Sequence, residues 1–342
     1  MAEFAWATVL GALSRREELD DATAAGAMTA IMRGEATPVH MAAFLVGLRT
    51  KGETAAEVAA LARTMREFSL KVAVDGVAVD TCGTGGDRSG TFNVSTLAAV
   101  VAAGAGAVVA KHGNRAASGR CGSADLLEAW GVAIDLPPEG VQACIAEVGI
   151  GFCFAQRFHP AMRHVMPTRR ELGVPTVFNF LGPLTNPAGA LHQTVGVSDP
   201  AMAPVMAGVL ARLGAVHALV FHGADGLDEL TTTGPSRVWE VRDGQIDEWT
   251  FDPGDYGLPR ATIDELKGGE IEDNRRIADA VLAGESGAPR DIVVLSAAAA
   301  LIAGDLAASW EDALGAAERS LDSGAAADVL KRWVAVSQAQ AG

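Results

Sequence analysis

The stretch Asp80–Asp125, DTCGTGGDRSGTFNVSTLAAVVAAGAGAVVAKHGNRAASGRCGSAD, decides how the rest of the chain is read. It opens as a short apolar strand, passes through a glycine-rich turn into a helix with a polar start, and continues as a second strand that ends in a basic loop. Two loops of small residues therefore lie about thirty residues apart, each following a strand and each leading into a helix. Helix N-termini and glycine-exposed amides carry unpaired N–H donors, so the arrangement suits a bound polyphosphate.

Upstream the pattern is helical. Phe4, Val9, Leu10 and Leu13 recur at helical spacing, as do Met28, Ile31 and Met32. Met41, Phe44, Leu45 and Leu48 follow Thr37-Pro38, and Val58, Leu61 and Met65 share one side of the segment Ala55–Phe68. Residues 1–70 thus form amphipathic helices with no strand among them, a small helical domain. After Lys71 strands alternate with helices. Strands are expected at Val77–Val79, Val108–Ala110, Val132–Ile134, Gly151–Ala155, Thr194–Val197 and Ala218–Phe221. Helices are expected at Ser123–Trp130, Pro138–Val148, Pro160–Leu172 and Ala201–Leu213. Arg237–Thr250 reads as a hairpin turning at Asp243-Gly244, and the chain is helical from Ile271 onward. Residues 71–342 are thereby an α/β domain with a mostly parallel central sheet flanked by helices. The expected linkers are Ser69–Gly76 and Phe251–Pro259.

The 342 residues carry 27 basic and 42 acidic side chains, a formal charge of −15. That balance argues against nonspecific binding to nucleic acid or an anionic membrane. An anionic ligand must then meet a local positive field, and Mg²⁺ carried in with a phosphate is one way to supply it. The four cysteines, Cys82, Cys121, Cys144 and Cys153, form no CxxC pair and fit a reducing cytoplasm. The N-terminus lacks the basic start and long apolar core of a signal peptide, and the run Leu97–Ala110 is too short and glycine-broken for a membrane span.

Gly83-Thr84-Gly85-Gly86-Asp87 alone is no more than a tight turn. It gains from Asn93-Val94-Ser95-Thr96, which opens the next helix either as ordinary N-cap chemistry or as the seat of a pyrophosphate. Lys111-His112-Gly113-Asn114-Arg115 sits beside Ser118, Gly119, Gly122 and Ser123, a second set of small donors. His112 is as much a structural hydrogen-bonder as a catalytic group, and no proton transfer is assigned to it. Asp228-Glu229 follows a strand, where carboxylates can hold Mg²⁺ together with substrate phosphates. Arg169 and Arg170 either favour a helix C-terminus or pair with a substrate carboxylate; spacing leaves both readings open.

In this order the segments resemble the anthranilate phosphoribosyltransferases. The matching stretches are GTGGD at 83–87, TFNVST at 91–96, KHGNRAASGRCGSAD at 111–125, FHPAMRHVMPTRRELG at 158–173, FNFLGPLTNPAG at 178–189 and DELTTTGPS at 228–236. The resemblance implies transfer of a phosphoribosyl group from phosphoribosyl pyrophosphate to the amine of anthranilate, with Mg²⁺, in tryptophan biosynthesis. It also implies a homodimer whose helical domain is hinged to the α/β domain and joined by a segment near 160–180. By position, phosphoribosyl pyrophosphate would meet Gly83, Gly86, Asp87, Thr91, Asn93, Val94, Ser95, Thr96, Lys111, His112, Gly113, Asn114, Arg115, Ser118, Gly119 and Ser123. Anthranilate would meet Gly83, Asn114, His159 and Arg169, and Mg²⁺ would use Ser95, Asp228 and Glu229. Departures from the family pattern stand at Gln156, Trp130 and Ser296. A pyrimidine nucleoside phosphorylase is the rival enzyme, but its SGRGLGHTGGT signature is missing. The −15 charge and the intact Asp228-Glu229 pair weigh against a nucleic-acid-binding, non-catalytic relative, and a purely structural protein leaves the basic loop unexplained.

Overall fold

Capping chemistry sets the N-terminal helices. In the computed structural model, which describes residues 4–116 and 120–342, α1 (Trp6–Ser14), α2 (Asp21–Met32), α3 (Pro38–Lys51) and α4 (Ala55–Glu67) follow one another through short turns. The Asp20 carboxylate accepts from the Thr23 N–H, and Thr37 accepts from His40 with Pro38 in the first turn. Thr54 and Glu57 form a reciprocal capping box. Glu57 is 1% exposed. Its Oε1 also accepts from the Leu19 N–H and its Oε2 from Lys51 Nζ, each at 2.9 Å. One carboxylate so fixes the entry to α2 against the turn between α3 and α4.

Seven strands make one sheet: β1 (Val79–Gly83), β2 (Val109–Gly113), β3 (Ile150–Phe154), β4 (His192–Gly196), β5 (His217–Gly223), β6 (Ser236–Arg242) and β7 (Gln245–Phe251). Their order is β3-β2-β1-β4-β5-β6-β7. The first five are parallel, and the hairpin β6–β7 is added antiparallel at the edge. Its turn has Asp243 at φ 48° and Gly244 at φ 79°, as a type I′ turn requires. The chain runs outward from β1 to β3 and then returns to the other side of β1 as β4. That reversal opens a crevice at the carboxyl ends of β1 and β4, the place where open α/β sheets bind ligands.

The remaining helices are α5 (Val94–Gly104), α6 (Ser123–Ala129), α7 (Pro138–Val148), α8 (Ala155–Phe158), α9 (Met166–Leu172), α10 (Phe178–Leu181), α11 (Ala203–Arg212), α12 (Ile271–Leu282), α13 (Ala288–Ala303), α14 (Trp310–Asp322) and α15 (Ala325–Ala341). Strand alternation divides the apolar interior in two. Leu219 and Phe221 of β5 face a core shared with α5, α7 and α12–α15. Ala218 and Val220 face a second core built with α1–α4, Val165, α10 and α11. The buried alanines Ala98, Ala99 and Ala102 of α5 and Ala297–Ala300 of α13 let these two helices lie close together.

Four expectations need correction. The first strand begins at Val79, not Val77, which is 51% exposed. Val132–Ile134 forms no strand: Val132 and Ile134 are buried as coil, with the Ala133 N–H donating to Ser337 Oγ at 3.0 Å, while β3 takes the place beside β2. Pro160–Leu172 is a 3₁₀ turn (Pro160–His164) followed by α9, because Pro167 has no N–H with which to continue the earlier turn. The two expected linkers are fastened down. Leu70 N–H donates to Phe158 O and Val72 N–H to Pro187 O, and Phe251 stacks on Tyr256 at 5.1 Å and meets Trp310 at 4.5 Å. The hairpin and the helical C-terminal part stand as read. Among the described residues no helix is long and apolar enough to cross a membrane, and all four cysteines are free.

At the amino end of β5, His217 is held between two carboxylates, its Nδ1 2.9 Å from Asp305 Oδ1 and its Nε2 2.9 Å from Glu240 Oε1. Burial disfavours the imidazolium, but both carboxylates outweigh it and the pKa is raised. A folded-state pKa above the unfolded value stabilises the fold at low pH, and that contribution is lost as pH rises through the folded value. The Tm advantage of the wild-type chain over His217→Gln is therefore expected to be full below about pH 6.5 and to shrink above it. A difference that stays constant across this range would refute the clamp.

Candidate active site

The loop after β1 is shaped by its neighbours on both sides. Ser198, just beyond β4, donates from Oγ to Gly85 O at 2.8 Å and from N–H to Thr84 Oγ1 at 3.1 Å. The Thr84 N–H donates to Gly196 O at 2.9 Å. On the far side the Gly268 N–H reaches Gly90 O and the Phe92 N–H reaches Leu266 O. Within the loop Asp87 accepts from Ser89 Oγ at 2.6 Å, and Ser89 Oγ lies 3.3 Å from Thr91 Oγ1. Gly86 has φ 85°, a left-handed conformation that glycine adopts without strain. The loop feeds α5. There the Val94 N–H is taken by Phe92 O, and the Thr96 hydroxyl is buried with no partner among the described residues. Asn93 Nδ2 donates to Cys121 O at 3.0 Å, stitching this loop to the second one.

Lys111 belongs to strand β2 rather than to the loop after it. It is 2% exposed, and its ammonium sits at 2.5 Å from Thr81 O and 3.4 Å from Ser95 Oγ. Burial pulls its pKa down, while Asp80 and Glu229 hold it up. The next residue is anchored at backbone and ring: the His112 N–H donates to Asp80 Oδ1 at 2.9 Å and its Nδ1 to Gly182 O at 3.0 Å. The His112 and His159 rings lie 5.1 Å apart. Burial lowers His112 to about 3 and His159 to about 4, so both are neutral imidazoles near pH 7. Gly113 is crowded: a Cβ there would stand 2.4 Å from Ser123 Oγ and 2.8 Å from the Phe152 ring. That hydroxyl donates to Asn114 O at 3.1 Å. Arg115 turns toward α6, paired with Asp125 at 2.9 Å and Glu128 at 2.6 Å. Ser118 and Gly119 lie outside the described residues.

The acidic loop completes the crevice. Asp225 latches it, accepting from Thr231 Oγ1 and Thr233 Oγ1 at 2.6 Å each. Asp228 Oδ2 accepts from the Gly85 N–H at 2.7 Å. Burial and the Asp87 charge push the Asp228 carboxyl up to about 7, against the pull of that N–H. Glu229 is raised by burial and by Asp228, with Lys111 and the Ser95 N–H working the other way. Among the described residues no three His, Cys, Asp or Glu side chains converge to hold a metal by themselves. Two crowded carboxylates beside a hydroxyl suit Mg²⁺, a hard ion that takes one or two carboxylates and completes its shell with substrate oxygens.

Arg169 lies in α9 and is partly buried. Its guanidinium is 5.6 Å from the Phe178 ring centre and reaches Asn179 Oδ1 at 3.4 Å. Asn179 Oδ1 also accepts from the Thr176 N–H, which fixes its orientation. The exposed Arg170 side chain points away from burial. Asn114 Oδ1 accepts from the Arg115 N–H at 2.8 Å and from Gln156 Nε2 at 3.3 Å, leaving its NH₂ end for a ligand.

Two domain models of the glycosyl transferase family match the chain, the helical bundle domain over residues 7–69 and the a/b domain over residues 75–327. A relative from Roseiflexus castenholzii, an anthranilate phosphoribosyltransferase, is 55% identical over 325 residues, covering 94% of this chain and 96% of that one. The chain belongs to the anthranilate phosphoribosyltransferase family. The crystal structure of the anthranilate phosphoribosyltransferase from Thermus thermophilus superposes with a TM-score of 0.92 at 47% identity, covering 96% of this chain and 99% of that one. The Saccharomyces cerevisiae enzyme, solved in complex with PRPP and Mg, gives 0.90 at 26% identity and covers 98% of each.

Within this member of the anthranilate phosphoribosyltransferase family, several residues that shape the site were not singled out from sequence: Gly196, Ser198, Asp225 and Asn179. Gly196-Val197-Ser198 ends a strand with small residues, as Gly83-Thr84-Gly85 does, so the same signal was present there. The three departures from the family pattern have distinct settings. Gln156 touches Asn114, Trp130 Nε1 donates to Asp279 at 2.8 Å, and the Ser296 hydroxyl is buried without a partner among the described residues.

Proposed function

We propose that the chain transfers the phosphoribosyl group of phosphoribosyl pyrophosphate to the amine of anthranilate, releasing pyrophosphate, in the tryptophan-forming branch of metabolism. The observation that carries this reading is the meeting of three loops, after β1, β2 and β5, at the β1–β4 crevice. In this reading the amides of the Gly83–Gly86 turn and the hydroxyls of Thr91, Ser95 and Ser123 receive the phosphates, with Lys111 supplying charge from below. Asn93, Asp87 and the backbone of Val94, His112 and Gly113 keep the cradle in shape. Ser95, Asp228 and Glu229 would hold Mg²⁺. Bound there, the ion would stabilise the charge that gathers on the departing pyrophosphate.

Arg169 and the Asn114 NH₂ group offer donors to the anthranilate carboxylate, and Gly83 and the neutral His159 line its approach. The C1–O bond to pyrophosphate breaks, the C1–N bond forms, and the amine gives up a proton. An aromatic amine is neutral near pH 7 and already nucleophilic, so placement and electrostatics carry the rate and no general base is assigned. His112 and His159, neutral and enclosed, fit a role in shape and solvent exclusion. The same reading treats residues 1–70 as a helical domain that closes on residues 71–342 through the segment near 160–180. It also places the chain in the cytoplasm, in keeping with its free thiols, and as a homodimer.

Adding phosphoribosyl pyrophosphate to the protein and anthranilate should quench anthranilate fluorescence only when Mg²⁺ is present. Folded protein that gives no loss at any Mg²⁺ concentration refutes the proposal. Arg169→Ala removes charge-assisted hydrogen bonds to the acceptor and should raise the KM for anthranilate roughly 10- to 100-fold. The KM for phosphoribosyl pyrophosphate should stay nearly constant, and equal rises in both would contradict the carboxylate role.

A further inference from the structure

The backbone of Asp228 lies directly on the ends of two neighbouring strands. Gly83 of β1 and Gly196 of β4 are paired in register. A Cβ added to Gly83 would stand 2.2 Å from Asp228 Oδ2, the far end of a side chain. At Gly196 the encounter is with backbone: 1.7 Å to Asp228 O, 2.3 Å to its carbonyl carbon and 3.1 Å to its Cα. Gly196 is absent from the positive-φ glycines, so its conformation is open to any residue and space alone demands glycine. Its carbonyl meanwhile accepts from the Thr84 N–H, so the bare strand end supports the glycine turn and the acidic loop together.

We infer that Gly196 is a positioning residue for the metal carboxylates, setting the height of Asp228 and Glu229 above the sheet. This rests on the Mg²⁺ role proposed for that pair. A methyl group at position 196 cannot be accommodated by a rotamer change, because the atom it meets is a carbonyl in a loop latched by Asp225. The loop must lift, which moves both carboxylates away from Ser95 and breaks the bond from the Gly85 N–H to Asp228. The acceptor side is built separately, with Arg169 held by Asn179 and Phe178, and should keep its geometry.

The test compares the wild-type chain with Gly196→Ala in steady-state assays at varied Mg²⁺, with the thermal transition recorded for each. Gly196→Ala is expected to raise the Mg²⁺ concentration for half-maximal rate roughly tenfold or more while the KM for anthranilate stays within about twofold; a tenfold change is about 1.4 kcal/mol. A merely structural role would lower Tm and rate while leaving the Mg²⁺ dependence where it was, and that outcome overturns the inference. Should Gly196→Ala fail to fold, Asp225→Asn loosens the same loop from its other end without touching the strand. Its Mg²⁺ requirement must rise, and an unchanged requirement overturns the inference equally. Absence of turnover in the wild-type chain would instead count against the proposed function, so the two failures are distinct.

Discussion

The approach of the Asp228 backbone onto the carboxyl ends of β1 and β4 is the contact on which the rest of the site depends. It is possible because Gly83 and Gly196 stand side by side without side chains. From that contact Asp228 reaches the glycine-rich loop after β1, where its carboxylate takes the Gly85 N–H, and Glu229 lies toward the first turn of α5, where the Ser95 N–H opposes the rise in its pKa. The sheet order supplies the place, since only between β1 and β4 do the loops diverge to leave a crevice. Latches hold each loop from outside: Ser198 on the first, Asn93 between the first and second, Asp225 on the third. Rigidity of this kind is what positional catalysis needs, because donors must already point at the charge that develops.

Electrostatics give the crevice its selectivity within a chain of net charge −15. Lys111 is buried beneath it, bonded to Thr81 and Ser95, and it offsets Glu229 from within the protein. Above it Asp87, Asp228 and Glu229 crowd together; burial, and after it the neighbouring negative charge, raises the Asp228 and Glu229 carboxyls. A divalent cation arriving with a polyphosphate relieves that repulsion and brings its own counter-charge. A metal-free polyphosphate would meet the same carboxylates unshielded.

Much of this was legible in the residues. The change from helical spacing to strand–helix alternation after Lys71 marks where the sheet begins, and Asp243-Gly244 places the hairpin turn to the residue. What failed did so for physical reasons. Val132–Ile134 has strand composition, but three apolar residues can be buried as coil when the sheet edge is already taken. The segment Phe251–Pro259 has linker composition, yet its aromatic residues pack on Trp310, a partner far along the chain. Lys111 read as part of a basic loop because sequence does not reveal that a lysine at a strand end can turn inward. The expectation of a phosphate cradle rests on glycine and N-cap patterns alone, whereas the identity of both substrates came through resemblance to a family. Gly196 was hidden: one glycine at a strand end looks like any other until the atom above it is known.

The central claim is that the three loops form one donor site around the Gly83–Gly196 contact. Amide hydrogen exchange of the chain with and without phosphoribosyl pyrophosphate and Mg²⁺ tests it most directly. Exchange should slow together in residues 84–96, 111–116 and 226–231 and stay unchanged in the β6–β7 hairpin. Protection confined to one of these loops, or appearing without Mg²⁺ to the same extent, would contradict the account.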